Sequence, residues 1–202
     1  MSDCGCAIEA RDRQERKTLL VVLAINAVMF AVELVIGLLA DSTALIADSL
    51  DMLADALVYS ISLYAVGRSD SHKRTAASFS GILQIALALI VLADVVRRLF
   101  HGSEPVSFLM VGIGTLALIA NSICLSLILR HRRGGVHMRA SVIFSTNDVI
   151  ANIGVILAGV LVWALESPYP DLLIGLIISA IVLRGGIKIL CEASLSQTET
   201  NQ

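Results

Sequence analysis

Charge is scarce in this sequence. Only 16% of its 202 residues are Asp, Glu, Lys or Arg, whereas 56% are hydrophobic and the mean hydropathy is +0.83. Soluble domains carry about 25% charged residues, so this composition excludes an ordinary soluble domain and indicates a polytopic membrane protein. The formal net charge of −2 says little about partners, and we expect no nucleic-acid partner.

Cysteine is also rare, and its placement excludes a secreted disulfide framework. Cys4 and Cys6 precede the first apolar run, while Cys124 and Cys191 each lie alone in an apolar segment. We therefore expect reduced thiols. We also expect no cleavable signal peptide, because residues 1–17 are mostly polar and the first apolar run is long enough to stay as an anchor.

Six apolar stretches are long enough to cross a membrane, and polar or proline-containing links separate them. The sequence therefore predicts an all-α integral membrane protein with six transmembrane helices, at residues 18–40, 44–66, 79–100, 106–129, 138–165 and 171–191. Together they form one membrane domain, 18–192, with an N-terminal tail before it, 1–17, and a short C-terminal tail after it, 193–202.

Lysine and arginine are distributed unevenly among the links. If both termini lie in the cytoplasm, all of these residues except Arg97 and Arg98 fall on the cytoplasmic side. Cytoplasmic links are enriched in basic residues. The pattern therefore predicts cytoplasmic termini and a multi-pass protein of the cell membrane, which is the inner membrane if the source is bacterial.

The second predicted helix carries three acidic residues in an otherwise apolar stretch, Asp48, Asp51 and Asp55. Offsets of three, four and seven residues bring them within roughly 60° of arc on one helix face. An ionised side chain at mid-bilayer costs on the order of 3 kcal/mol, and a multivalent cation bound by the carboxylates would offset this cost. The alternative interpretation is a structural helix that faces water.

A further acid, Asp148, lies in the fifth predicted helix. Asn152 and Ser145 share its helix face, whereas Asn147 points about 100° away. If this helix packs against the second, a metal site forms from three carboxylates, with a shell completed by water or a neighbouring polar residue. The predicted ligands are Asp51, Asp55 and Asp148, with Asp48, Asn152 or Ser145 as completing residues. The alternative is an Asn/Asp pair that only holds two helices together.

The sequence resembles the cation diffusion facilitators, which are proton-coupled exporters of divalent metals with six membrane helices. The resemblance rests on FAVELVIGLL at residues 30–39, on ALIADSLDMLADAL at residues 44–57, and on Met138-Arg139-Ala140 followed by Asp148 and Gly154-Val155-Ile156. It implies a transporter that carries metal out of the cytoplasm while its helices rock around a fixed site. It also implies a homodimer, although the domain that usually forms the dimer is missing here, so we expect a membrane-only member.

In that family, helices two and five each supply two ligands four residues apart. The resemblance therefore implies a site of Asp51, Asp55, Phe144 and Asp148, in which Phe144 replaces the usual histidine and cannot bind a metal. Carboxylates without imidazole favour harder or larger ions, such as manganese, iron, cobalt or cadmium, although zinc stays a candidate.

The clustered carboxylates can bind either protons or a metal ion, so the two compete for one site. Competition of this kind predicts exchange of metal for protons, with the ion as substrate and no cofactor. No catalytic nucleophile is needed, and we expect no enzyme activity. Two alternatives stay open, an integral-membrane enzyme that holds metal on aspartates and a metal sensor that does not transport.

Several polar residues outside this cluster carry weaker signals. Cys4, Cys6 and Glu9 can form only an incomplete soft-metal site. Asp70 and His72 lie where some members of the family bind a second zinc, but an acid and a histidine in a polar link are more often simply solvated.

Two further acids lie within predicted spans. Asp94 precedes Arg97 and Arg98 by three and four residues, which predicts an ion pair within the helix. Glu33 in the first span supports the metal site or pairs with a neighbour, and the sequence leaves both roles open.

Overall fold

A computed structural model of the chain describes residues 3–65, 70–130 and 136–199, and every regular element in these ranges is an α-helix. The described part contains six of them, which confirms the predicted all-α fold. They are α1 (Asp3–Leu39), α2 (Thr43–Ala65), α3 (Asp70–His101), α4 (Ser107–Leu129), α5 (Val136–Leu165) and α6 (Tyr169–Glu199).

Three helices extend beyond the apolar spans that predicted them. α1 begins at Asp3, α3 begins at Asp70, and α6 continues to Glu199. These polar extensions contain no proline and are rich in residues that favour helices, so the backbone hydrogen bonding continues after the apolar stretch ends. The predicted tails at 1–17 and 193–202 thus adjoin the membrane domain without a break in the helix where they are described.

Four segments of the described chain are long and apolar enough to cross a membrane, namely Arg16–Leu39, Ser107–Leu129, Ser145–Leu165 and Tyr169–Cys191. Large apolar side chains also cover much of the outside of the bundle, including Val28, Phe108 and Trp163. An apolar exterior of this extent suits contact with lipid rather than water. The chain is a membrane protein, and the orientation of its termini stays a prediction.

α2 lies at the centre of the bundle. It packs against α1, α3, α5 and α6, and the outer helices also contact one another in the pairs α1 with α4, α4 with α5, α5 with α6, and α6 with α3. The first turns of α2 are buried, with Leu45 and Ala47 at most 1% exposed. α2, which carries Asp48, Asp51 and Asp55, is therefore enclosed by helices on several sides.

A side chain from α6 caps the N-terminus of α2. Oδ2 of Asp171 accepts a hydrogen bond from the Thr43 amide at 2.7 Å. Oδ1 of the same residue accepts from the Ser42 hydroxyl at 2.6 Å and from the Ala44 amide at 3.0 Å. Amides in the first turn of a helix lack partners within it, and a carboxylate satisfies them while interacting favourably with the helix dipole. The buried Asp171 thus ties α2 to α6.

Arg98 holds the same end of the bundle together. Its guanidinium group donates hydrogen bonds to Asp94 and to Asp41 in the turn between α1 and α2. Asp94 also accepts a hydrogen bond from Arg97 at 2.7 Å, so the predicted ion pair within α3 is confirmed. Oδ2 of Asp41 accepts from the Glu104 amide at 3.0 Å. Asp41, Asp94 and Asp171 at this end therefore each have positive or amide partners.

α3 and α6 approach each other closely at two glycines. A Cβ atom added at Gly186 would lie 2.9 Å from the carbonyl oxygen of Gly81 and 2.9 Å from Cγ1 of Ile85. A Cβ atom added at the neighbouring Gly185 would lie no closer than 3.6 Å to any atom, which is ordinary van der Waals contact. The absence of a side chain at residue 186 therefore sets the distance between α3 and α6.

Replacing Asp171 with alanine removes the acceptor for three hydrogen bonds at the buried start of α2. We expect Asp171→Ala to destabilise the protein by about 2 kcal/mol, because a cap is lost and buried amides are left unpaired. Thermal unfolding in detergent measures the change. Glu104→Ala, at an exposed carboxylate on the same end, should leave the midpoint unchanged, and equal midpoints for both variants would contradict this role of Asp171.

The glycine contact gives a matched pair of substitutions. We expect Gly186→Ala to destabilise the bundle by about 1–3 kcal/mol, because the added methyl group meets the backbone of α3. Gly185→Ala should keep or raise stability, by up to about 1 kcal/mol, because its methyl group fits without displacing a neighbour and alanine favours the helix more than glycine does. Thermal unfolding of both variants checks the difference, and the reverse order of stability would show that the helix spacing is not set at residue 186.

Candidate metal centre

A small polar cavity lies where α2, α3, α5 and α6 meet. Its volume is about 60 Å³, which exceeds the roughly 10–15 Å³ that one water molecule needs. Three of the lining residues are aspartates, two carry amides, and no basic residue is among the described lining residues. The lining consists of Asp51, Asp55, Gln84, Asn147, Asp148, Ile181, Val182 and Gly185.

α2 supplies two of the carboxylates. Asp51 and Asp55 are four residues apart, so helical geometry places both on the face that borders the cavity. Asp55 is only 3% exposed, and its Oδ2 atom accepts no hydrogen bond from any described residue. Buried carboxylate oxygens normally have donors, so this one is available for a ligand.

α5 supplies the third carboxylate and an amide. Asp148 is buried and lines the cavity, as expected if α5 packs against α2, and the two helices are in contact. Asn147 lines the cavity as well, although helical geometry turns it about 100° away from Asp148. Residues on two adjacent faces of α5 therefore line the cavity. The sequence predicted only residues on the face of Asp148.

Asp48 and Asn152 were predicted to complete the metal shell, and the structure pairs them with each other. Nδ2 of Asn152 lies 3.2 Å from Oδ2 of Asp48 and 3.4 Å from Oδ1, and it also donates to the carbonyl oxygen of Asp148 at 2.6 Å. Neither residue is among those that line the cavity. This pair links α2 to α5 directly beside the cavity.

Glu33 joins the pair from α1. It is fully buried, and its carboxyl group faces that of Asp48. Neither Glu33 oxygen accepts a hydrogen bond from a donor in the described ranges. The sequence left the role of Glu33 open. In the structure it is a neighbour of Asp48 and is not among the residues that line the cavity.

The remaining predicted residues are accounted for as follows. Ser145 is 1% exposed, and its hydroxyl has no partner among the described residues, but it is not a lining residue. The side chains of Phe144, Cys4, Cys6, Glu9, Asp70 and His72 lie outside the described residues.

The lining carboxylates share a cavity without converging on one point. Among the described residues, no group of three or more His, Cys, Asp or Glu side chains is arranged to hold a metal ion. The arrangement nonetheless concentrates negative charge and oxygen donors, and the described lining contains no positive side chain to balance them. Oxygen donors of this kind are the ligands that hard and borderline divalent cations prefer.

Comparison with known proteins gives one family match. The family model for the cation efflux transmembrane domain matches residues 19–196, which include all six helices in whole or in large part. No curated protein matches the chain.

The pairing of Asp48 with Asn152 predicts a specific double-mutant result. Asn152→Leu should destabilise the protein by about 2 kcal/mol or more, because a buried carboxylate loses its donor. Adding Asp48→Leu should recover part of the loss, because both polar partners are then replaced. Unfolding midpoints of the two single variants and the double variant measure the coupling, and purely additive losses would contradict the contact.

Proposed function

The chain belongs to the cation efflux family, and from that premise we propose that it exports divalent transition-metal ions from the cytoplasm in exchange for protons. Members of this family are transporters rather than enzymes. The observation that carries the proposal is the cavity where α2, α3, α5 and α6 meet, in which Asp51, Asp55 and Asp148 line one small space. Intramembrane acids that face a bundle interior mark ion pathways.

The proposed mechanism follows from the chemistry of these carboxylates. A divalent ion entering the cavity binds deprotonated oxygens and draws the three side chains together, and protons entering from the other side displace it. The two occupants exclude each other, so the ion and the protons move in opposite directions. Alternating access then needs only two arrangements of the helices around the same carboxylates.

The position of α2 supports this mechanism. α2 contributes Asp51 and Asp55, α5 contributes Asp148, and the Asp48–Asn152 contact joins the two helices beside the cavity. Any change in the distance between α2 and α5 therefore changes the spacing of the three carboxylates. We assign Asp48 and Asn152 a positioning role, with Asp51, Asp55 and Asp148 as the residues that bind the ion.

The donor set narrows the substrate. A site made of carboxylates favours manganese, iron, cobalt and cadmium more than a site that contains imidazole does. Zinc also binds carboxylate oxygens and stays a candidate. We therefore propose a divalent transition metal of this group as the cargo. The cell-membrane location, the cytoplasmic termini and the homodimer stay predictions.

The test is metal uptake into proteoliposomes with an imposed pH gradient. We expect the wild-type protein to move at least one of zinc, cadmium, cobalt, manganese or iron against opposite proton flow. Asp51→Asn and Asp148→Asn should each lower the rate by at least about tenfold, because each removes a charged ligand. Glu104→Gln removes an exposed carboxylate outside the cavity and should transport normally.

Two results would count against the proposal. Flux of a metal that persists in both aspartate variants would mean that the cavity is not the transport site. Metal binding without flux of any of the five ions would favour a sensor over a transporter.

A further inference from the structure

Among the described residues that line the cavity, Gln84 is the one that comes from α3, and its side chain is polar and neutral. It is only 4% exposed and lines the same space as Asp51, Asp55 and Asp148. Its Oε1 atom accepts no hydrogen bond from any donor in the described part of the chain. The residue therefore combines burial, an unpaired oxygen and a place at the proposed ion site.

The packing of α3 on α6 accounts for the position of this amide. Gly81, one turn before Gln84, meets the backbone of Gly186, which brings the two helices close together. Gly185 then faces the amide itself, because a Cβ atom at residue 185 would lie 3.6 Å from both Oε1 and Nε2. α6 thus borders the Gln84 amide without supplying a hydrogen-bond donor to its oxygen.

An unpaired amide oxygen in such a place requires an explanation. A buried acceptor without a donor costs about 1–3 kcal/mol, and most buried amides in proteins are paired. A glutamine that served only to hold helices together would direct this oxygen at a donor on a neighbouring helix. A cation in the cavity would satisfy the oxygen, because side-chain amide carbonyls are ordinary ligands for hard divalent ions.

We propose that Gln84 binds the transported ion through Oε1, as a neutral oxygen ligand beside the carboxylates of Asp51, Asp55 and Asp148. This inference rests on the proposed function of the cavity. It also sets a preference among ions. Zinc is satisfied by four ligands, whereas manganese suits a larger set of oxygens, so the added amide should favour manganese more than zinc.

Equilibrium binding of radiolabelled Mn²⁺ and Zn²⁺ to the purified full chain in detergent tests this directly. Gln84→Leu keeps the approximate size of the side chain but removes the oxygen. We expect it to raise the Kd for Mn²⁺ about tenfold and the Kd for Zn²⁺ by less than about threefold. Gln84→Glu keeps an oxygen at this position and should bind Mn²⁺ at least as tightly as the wild type.

Asn121→Leu is the matched control. Asn121 on α4 is fully buried, and both its polar atoms are unpaired among the described residues, so its amide oxygen is unpaired as that of Gln84 is, but it is not a lining residue of the cavity. We expect this variant to keep both dissociation constants within about twofold of the wild type, since it loses an amide of the same chemistry away from the ion.

The outcomes separate this inference from the proposed function. Wild-type affinity for both ions in Gln84→Leu would overturn the role of Gln84, and the proposed function would stand if Asp51→Asn still abolished binding. A wild-type protein that binds neither Mn²⁺ nor Zn²⁺ would overturn the role of Gln84, and the proposed function would fall with it if Cd²⁺, Co²⁺ and Fe²⁺ were not bound either. If Gln84→Leu does not fold, Gln84→Asn withdraws the oxygen by one methylene group, and unchanged Mn²⁺ affinity in that variant would equally contradict the inference.

Discussion

Carboxylates enclosed in an apolar bundle need a cation, a proton or a set of donors, and this requirement shapes the centre of the protein. α2 brings Asp48, Asp51 and Asp55 into the interior, and α1 and α5 add Glu33 and Asp148. Such groups are costly at membrane depth unless they are compensated. The described lining of the cavity holds no basic side chain, so compensation there has to come from what enters the cavity.

The acids at the end of the bundle show the opposite arrangement. Asp171 caps α2, and Asp41 and Asp94 receive hydrogen bonds from Arg98. Every one of these carboxylates is satisfied by the protein itself, which is what a structural role requires. The acids of this protein therefore fall into two groups, those that stabilise the fold and those that are available to bind a ligand. α2 shows both kinds of acid environment: Asp171 holds its N-terminus, whereas Asp51 and Asp55 in its middle have no basic partner in the described lining.

Much of this could be predicted from the sequence, because helical periodicity is a local property. Apolar run lengths gave the six helices, and spacings of three and four residues gave the shared face of Asp51 and Asp55. The ion pair of Asp94 with its arginines followed from the same rule. The sequence also indicated that α5 could pack on α2, because acidic residues in two membrane helices are easier to explain if they share one site.

What the sequence could not supply depends on contacts between distant helices. The sequence did not single out Gln84, an amide within the predicted span 79–100, and the close approach of Gly81 and Gly186 accounts for its place at the cavity. Asp171 is the first residue of the sixth predicted span, and only the structure shows that its oxygens accept hydrogen bonds from the first turn of α2. Asp48 and Asn152 bind each other and do not line the cavity, because of the way α2 and α5 face each other. Helical spacing alone does not determine that orientation.

The most direct test of the central claim is an anomalous difference map from crystals of the protein soaked with Cd²⁺. The account predicts one dominant peak in the cavity, with oxygens of Asp51, Asp55 and Asp148 as its nearest protein atoms. A dominant peak elsewhere, with the cavity free of metal, would contradict it.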